Sequence, residues 1–118
     1  MRQVVETHAH AHRAVAGWLF ACCAVLALLV GVGGITRLTR SGLSIPNWRP
    51  VTGILPPIGE AAWKQAFAEY RATPEYRIVN PAMTLEEFKG IFAWEYVHRR
   101  LARLLGLSFA VPLAIFAW

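Results

Sequence analysis

The chain has 118 residues and a formal net charge of +5, with 56% hydrophobic residues, five Trp and only 16% charged residues. A soluble domain carries about 25% charged residues, so this composition excludes an ordinary soluble globular domain. The positive charge does not indicate nucleic acid. The arginines form no block and line no single face, but flank apolar segments (Arg37, Arg40; Arg99, Arg100, Arg103), a pattern suited to headgroup, propionate or phosphate contacts at a membrane surface.

Residues 1–13 are too polar and too short for a domain and read as a tail. His8, His10 and His12 alternate along it, and a solvated, disordered tail accounts for them better than a metal site. From Ala14 to Ile35 there is no charged residue, a run of about 20 residues and enough to cross the hydrocarbon core. It is longer than the hydrophobic region of a cleavable signal peptide, about 7–15 residues, and lacks an A-x-A-like site before Thr36. Arg13 stands alone, which excludes a twin-arginine signal. The segment 14–35 is therefore expected to be a first transmembrane helix. Cys22 and Cys23 are adjacent and would point about 100° apart on it, so helix packing is favoured over a disulfide or metal site. Gly31, Gly33 and Gly34 close the run. With no strand before them they suit close helix approach rather than a phosphate loop.

Residues 36–90 form a long extramembrane loop. Ser41-Gly42-Leu43-Ser44 and Gly53-Ile54-Leu55-Pro56-Pro57 are rich in turn formers. Trp63, Phe67 and Tyr70 fall at i, i+4 and i+7, predicting an amphipathic helix over 60–70. It would lie on the membrane interface or pack against the rest of the loop, with Pro74 ending it. Thr84-Leu85-Glu86-Glu87 fits a capping box, so a second long helix is expected from Leu85 to Trp118. Its first half lies outside the bilayer and residues 91–118 form a second membrane helix, cut within its apolar run. Pro112 is compatible with that helix if neighbours satisfy the carbonyl it frees.

Glu95 and His98, one helical turn apart, are the candidate chemistry. A neutral imidazole can ligate a haem iron, bind another metal, move protons, or simply be packed in a helix seam. Glu95 and Arg99 have the spacing of an intrahelical ion pair; alternatively Glu95 faces the ligand of His98 and stabilises developing positive charge. Arg99 and Arg103, again i and i+4, suit an anion with two carboxylates, such as a haem with its propionates.

Two motifs resemble the haem A synthase family. One is Gly33-Gly34-Ile35-Thr36-Arg37-Leu38-Thr39-Arg40-Ser41-Gly42-Leu43-Ser44, followed by Trp48, Pro50, Gly53 and Pro56-Pro57. The other is Asn80-Pro81-Ala82-Met83-Thr84-Leu85-Glu86-Glu87-Phe88-Lys89-Gly90-Ile91-Phe92, running into Glu95-Tyr96-Val97-His98-Arg99. The resemblance covers roughly residues 30–106. It implies an all-α integral membrane protein, here a fragment of a polytopic bundle of eight helices in two pseudo-symmetric halves, with two membrane helices joined by a long extracytoplasmic loop carrying short amphipathic helices. It further implies oxidation of the haem O methyl group to the formyl group of haem A for terminal oxidase assembly. Haem b is then the cofactor, haem O the substrate and membrane lipid the surroundings, with haem O synthase and terminal oxidase assembly factors as partners. His98 would be a haem-iron ligand and Glu95 would be needed for turnover. The N-terminus would be cytoplasmic and the loop extracytoplasmic, in a bacterial inner membrane, whereas charge counting alone leaves the orientation open. Ala102 stands where relatives often have glycine, and the loop lacks the cysteine pair of one branch. The second axial ligand would lie on helices beyond this segment, and the fragment alone is expected to be inactive. A non-catalytic membrane cytochrome or haem-handling protein, and a haem-free transporter or structural subunit, are the competing readings.

Overall fold

The computed structural model describes all residues, 1–118, and every regular element in it is helical, with no strand. The elements are α1 (Arg2–Leu38), one 3-10 turn (Thr52–Ile54), α2 (Glu60–Arg71), α3 (Pro74–Ile78) and α4 (Leu85–Ala117). Helices α1 and α4 are each long and apolar enough to cross a membrane. The chain divides into two compact units, Met1–Val30 with Leu101–Trp118, and Gly31–Arg100.

In the first unit α1 begins at Arg2, so the residues read as a disordered tail are helical. Nothing in Arg2–Arg13 breaks a helix: there is no Gly or Pro, and Ala9 and Ala11 favour it. Once the apolar turns are formed, each further residue adds a bond without a new nucleation cost. His8, His10 and His12 lie exposed on this extension. Leu28 and Val30 on α1, and Leu107, Val111 and Ile115 on α4, are exposed. Apolar side chains in that number and continuity suit lipid or other helices rather than water. The unit is held by Trp18, whose ring stacks on Phe109 at 5.5 Å and meets Phe116 edge-on at 5.5 Å. Its indole Nε1 donates to the Ser108 carbonyl at 2.6 Å, and Cys22 Sγ lies 3.7 Å from the same oxygen. Ser108 is four residues before Pro112, so its carbonyl is the one that the proline leaves without an intrahelical donor. The expected compensation is present, and it uses a cysteine that the sequence reading assigned to packing.

The second unit is built on an aromatic core. Tyr70 and Phe88 are fully buried and Phe92 nearly so. Tyr70 stacks on Phe88 at 5.2 Å, Phe67 lies 5.2 Å from Phe88, and Trp63 meets Phe92 edge-on at 5.1 Å. The predicted stripe of α2 thus packs against the start of α4 and its capping turn. The Tyr70 hydroxyl accepts a hydrogen bond from Asn80 Nδ2 at 3.0 Å, and burial pushes its pKa up against the opposing effect of that bond. Thr84 caps α4 through the Glu87 amide at 3.4 Å. Pro74 does not merely follow α2, which stops at Arg71; it opens α3 at its first turn, with Thr73 as the cap accepting from the Tyr76 amide at 3.4 Å.

Candidate functional site

The end of α1 sets the site. Arg40 takes a left-handed conformation, φ 55°. The Ser41 amide reaches the Thr36 carbonyl at 2.8 Å and the Arg40 amide the Arg37 carbonyl at 3.3 Å. This is a Schellman ending with arginine where glycine is usual. It turns the chain sharply, and Thr39 Oγ1 and Ser41 Oγ, 2.5 Å apart, tie the turn together. Ser41 and Ser44 are consequently fully buried, and the segment Ser44–Ile45 is laid along α4 beside Glu95.

Glu95 is 3% exposed. Its Oε2 accepts from Ser44 Oγ at 2.6 Å and from the Ile45 amide at 2.7 Å. Its Oε1 accepts from Arg99 Nη2 at 2.5 Å, the ion pair expected from their spacing. The same Nη2 donates to the Ile45 carbonyl at 2.8 Å. A buried carboxylate is tolerable when it is paired and hydrogen-bonded, and here every link comes from the loop or from the next turn of α4.

His98, one turn on, is half-buried and has no hydrogen-bond partner within the chain. Its Nε2 edge lies against Gly33 on α1, where a Cβ would stand 3.1 Å from Nε2. Glycine at 33 is thus what leaves room beside the imidazole. Glu95 and His98 lie one turn apart on α4, but their polar ends have different surroundings: Glu95 is bonded to the loop, whereas His98 lies unbonded against Gly33. Arg99 keeps Nε and Nη1 unengaged within the chain, so the guanidinium can still meet a carboxylate. Arg103 belongs to the first unit and is half-exposed there. Arg100 lies over the Tyr96 ring at 5.6 Å, and both side chains donate to the Ile54 carbonyl.

Glu75, which the sequence did not single out, is the remaining acid of the site. With Thr36, Arg37, Arg40, Leu43 and Ile78 it lines a cleft of about 680 Å³. Its Oε2 is buried without a hydrogen-bond partner. Burial first, then the charge of Glu95, raises its pKa. The sequence likewise marks Ser44 only as a turn former and Gly33 only as a packing residue. Nothing in local spacing ties either of them to α4.

The residues available fit a haem by their chemistry. The imidazole is unpartnered, the neighbouring backbone carries no side chain, and a guanidinium with spare donors follows it. Comparison with known proteins gives the family. Residues 16–118 match the family model COX15-CtaA, described as cytochrome oxidase assembly protein. The chain is 52% identical over 105 residues to the heme A synthase of Sphingopyxis alaskensis, covering 89% of this chain and 30% of that protein. It is 48% identical over 113 residues to the heme A synthase of Nitrosomonas eutropha, covering 96% and 32%. Identity is 55% over 105 residues to that of a Methylobacterium species, covering 89% and 29%. The chain therefore spans about a third of the length of these relatives. No solved structure matches it. A match over most of the chain, with about half its residues identical to several such proteins, places it in the COX15-CtaA family of cytochrome oxidase assembly proteins.

Proposed function

We propose that this chain is the N-terminal part of a membrane haem A synthase, an oxidoreductase that converts the methyl group of haem O to the formyl group of haem A for terminal oxidase assembly. The observation that carries the reading is His98, a half-buried imidazole with no partner in the chain, set against a glycine at its Nε2 edge. In this reading His98 ligates the haem iron, and Arg99 with Arg103 takes the propionates. Haem O is the substrate and haem b the resident cofactor, whose iron, when bound, supplies the redox chemistry. Glu95 supplies a fixed negative charge beside the reacting group, in a place where water is largely excluded and charge acts strongly. The protein sits in a bacterial inner membrane with its N-terminus cytoplasmic and residues 36–90 outside. Haem O synthase and oxidase assembly factors are its partners. The test is haem A content in cells whose full-length protein carries His98→Ala: haem A should be lost, and a normal level would refute the assignment of that residue.

A second reading has one observation in its favour. Both Glu95 oxygens are already satisfied within the chain, as they would be in a non-catalytic membrane cytochrome or haem-handling protein where His98 ligates haem without turnover. Pigment extraction separates the two, because only the enzyme reading has haem O accumulating when the gene is deleted.

A further inference from the structure

Ser44 is fully buried in the segment that crosses α4. Its hydroxyl has a single proton and three acceptors within reach: the Ser41 carbonyl at 2.7 Å, the Ile91 carbonyl at 3.2 Å and Glu95 Oε2 at 2.6 Å. A carboxylate is the strongest acceptor of the three and also the nearest, so the proton belongs to Glu95. The Ile45 amide joins it on the same oxygen, while Arg99 links the other oxygen back to the Ile45 carbonyl. The Ile45 amide and Arg99 close a ring through Glu95, and Ser44 adds a third donor to the carboxylate from outside that ring. An ionised carboxylate has about four acceptor positions, and these donors fill three. One remains for a ligand, and the clamp decides where that one points.

We propose that Ser44 is a positioning residue for the oxidation of haem O: its hydroxyl fixes the orientation in which Glu95 presents its remaining lone pair to the reacting group. This rests on the enzymatic reading of Glu95. Arg99 is partly exposed and the Ile45 donor is backbone, so Ser44 is the one buried side chain that sets the angle from the loop. Its loss leaves Oε2 with the Ile45 amide as its single donor, so the ring alone holds the carboxyl group and its angle is less tightly fixed. The site still binds haem through His98, but the negative charge is no longer held where it is needed.

The experiment is a double-mutant cycle in the full-length protein with Ser44→Ala, Glu95→Ala and both together, following haem O turnover, KM and the Soret spectrum. Ser44→Ala should lower kcat about tenfold, the worth of one charge-assisted bond. KM should stay within about twofold and the Soret band unchanged, because binding is untouched. On the Glu95→Ala background the same change should cost nothing more, since Ser44 acts only through that residue. If Ser44→Ala fails to fold, Ser44→Cys keeps the shape with a weaker donor and should show the same fall in kcat. Wild-type kcat in either folded variant, or a full additional loss on the Glu95→Ala background, would overturn the positioning role alone. Wild-type turnover by Glu95→Ala would overturn it together with the enzymatic reading of Glu95.

Discussion

The Ser108 carbonyl offers a measurement of what a proline costs inside an apolar helix and how a neighbour offsets it. Trp18 Nε1 donates to this oxygen at 2.6 Å because Pro112 has no N–H to offer. Trp18→Phe removes the donor and leaves the carbonyl with the weak thiol of Cys22 at 3.7 Å. It also reduces ring area against Phe109 and Phe116, so the single substitution mixes two effects. Pro112→Ala separates them by restoring an amide four residues after Ser108 and making the indole bond redundant. Hydrogen bonds between membrane helices contribute about 0.6 kcal/mol on average and up to about 1.7 kcal/mol. With the indole as the main donor, the coupling between the two substitutions should be about 1 kcal/mol. Trp18→Phe should therefore destabilise clearly more in the Pro112 protein than in the Pro112→Ala protein. The assay is unfolding of the full-length protein by sodium dodecyl sulfate in mixed micelles, followed by far-ultraviolet circular dichroism. Effects that add to within about 0.3 kcal/mol would refute the compensation.

Two further expectations concern the other unit. Gly33→Ala would place a Cβ 3.1 Å from His98 Nε2 and force the ring aside by a few tenths of an ångström. It should shift or weaken the Soret band of the full-length protein, whereas Gly34→Ala, whose Cβ meets nothing within 4 Å, should not; identical spectra would refute a role for that space. Glu75→Gln should stabilise this unit at neutral pH, read as slower amide exchange in α3. Its raised pKa means that the folded state disfavours the ionised form, so the stability of the glutamate protein is complete below the ordinary value of 4.5 and declines as pH rises through the raised one. The advantage of glutamine should accordingly shrink as pH falls toward 4.5, and an advantage that grows in acid would refute the reasoning.

What was legible in the sequence was what local spacing controls. The stripe Trp63, Phe67, Tyr70 named the face of α2 that packs, Thr84 marked the start of α4, and Glu95 with Arg99 announced their ion pair. Pro112 even foretold that some neighbour must serve Ser108, though not which one. Composition misleads where it stands in for mechanism. The polar residues of Arg2–Arg13 suggested disorder, but polarity does not stop a helix that contains no breaker. Pro74 does follow the end of α2 at Arg71, but a preceding threonine also makes it the start of α3, which spacing alone does not show. The loop side of the site was out of reach for another reason. Ser44 meets Glu95 across 51 positions of sequence, by way of a left-handed arginine that no residue preference would suggest.

The aromatic core also dictates an order of assembly. Tyr70 and Phe67 find their partner in Phe88, and Trp63 finds its own in Phe92, both on the first turns of α4. The segment between the two long helices therefore has no finished interior until those turns have been synthesised and delivered to the same side. Until then, Phe67 and Tyr70 have only Tyr76 for a ring partner, and the cluster stays open to the wrong company, as incompletely folded segments are. Once they arrive, the contacts are close in sequence, which favours rapid closure. A pause in synthesis shortly before residue 85 would prolong the vulnerable interval, whereas one after residue 92 would leave the loop already shut.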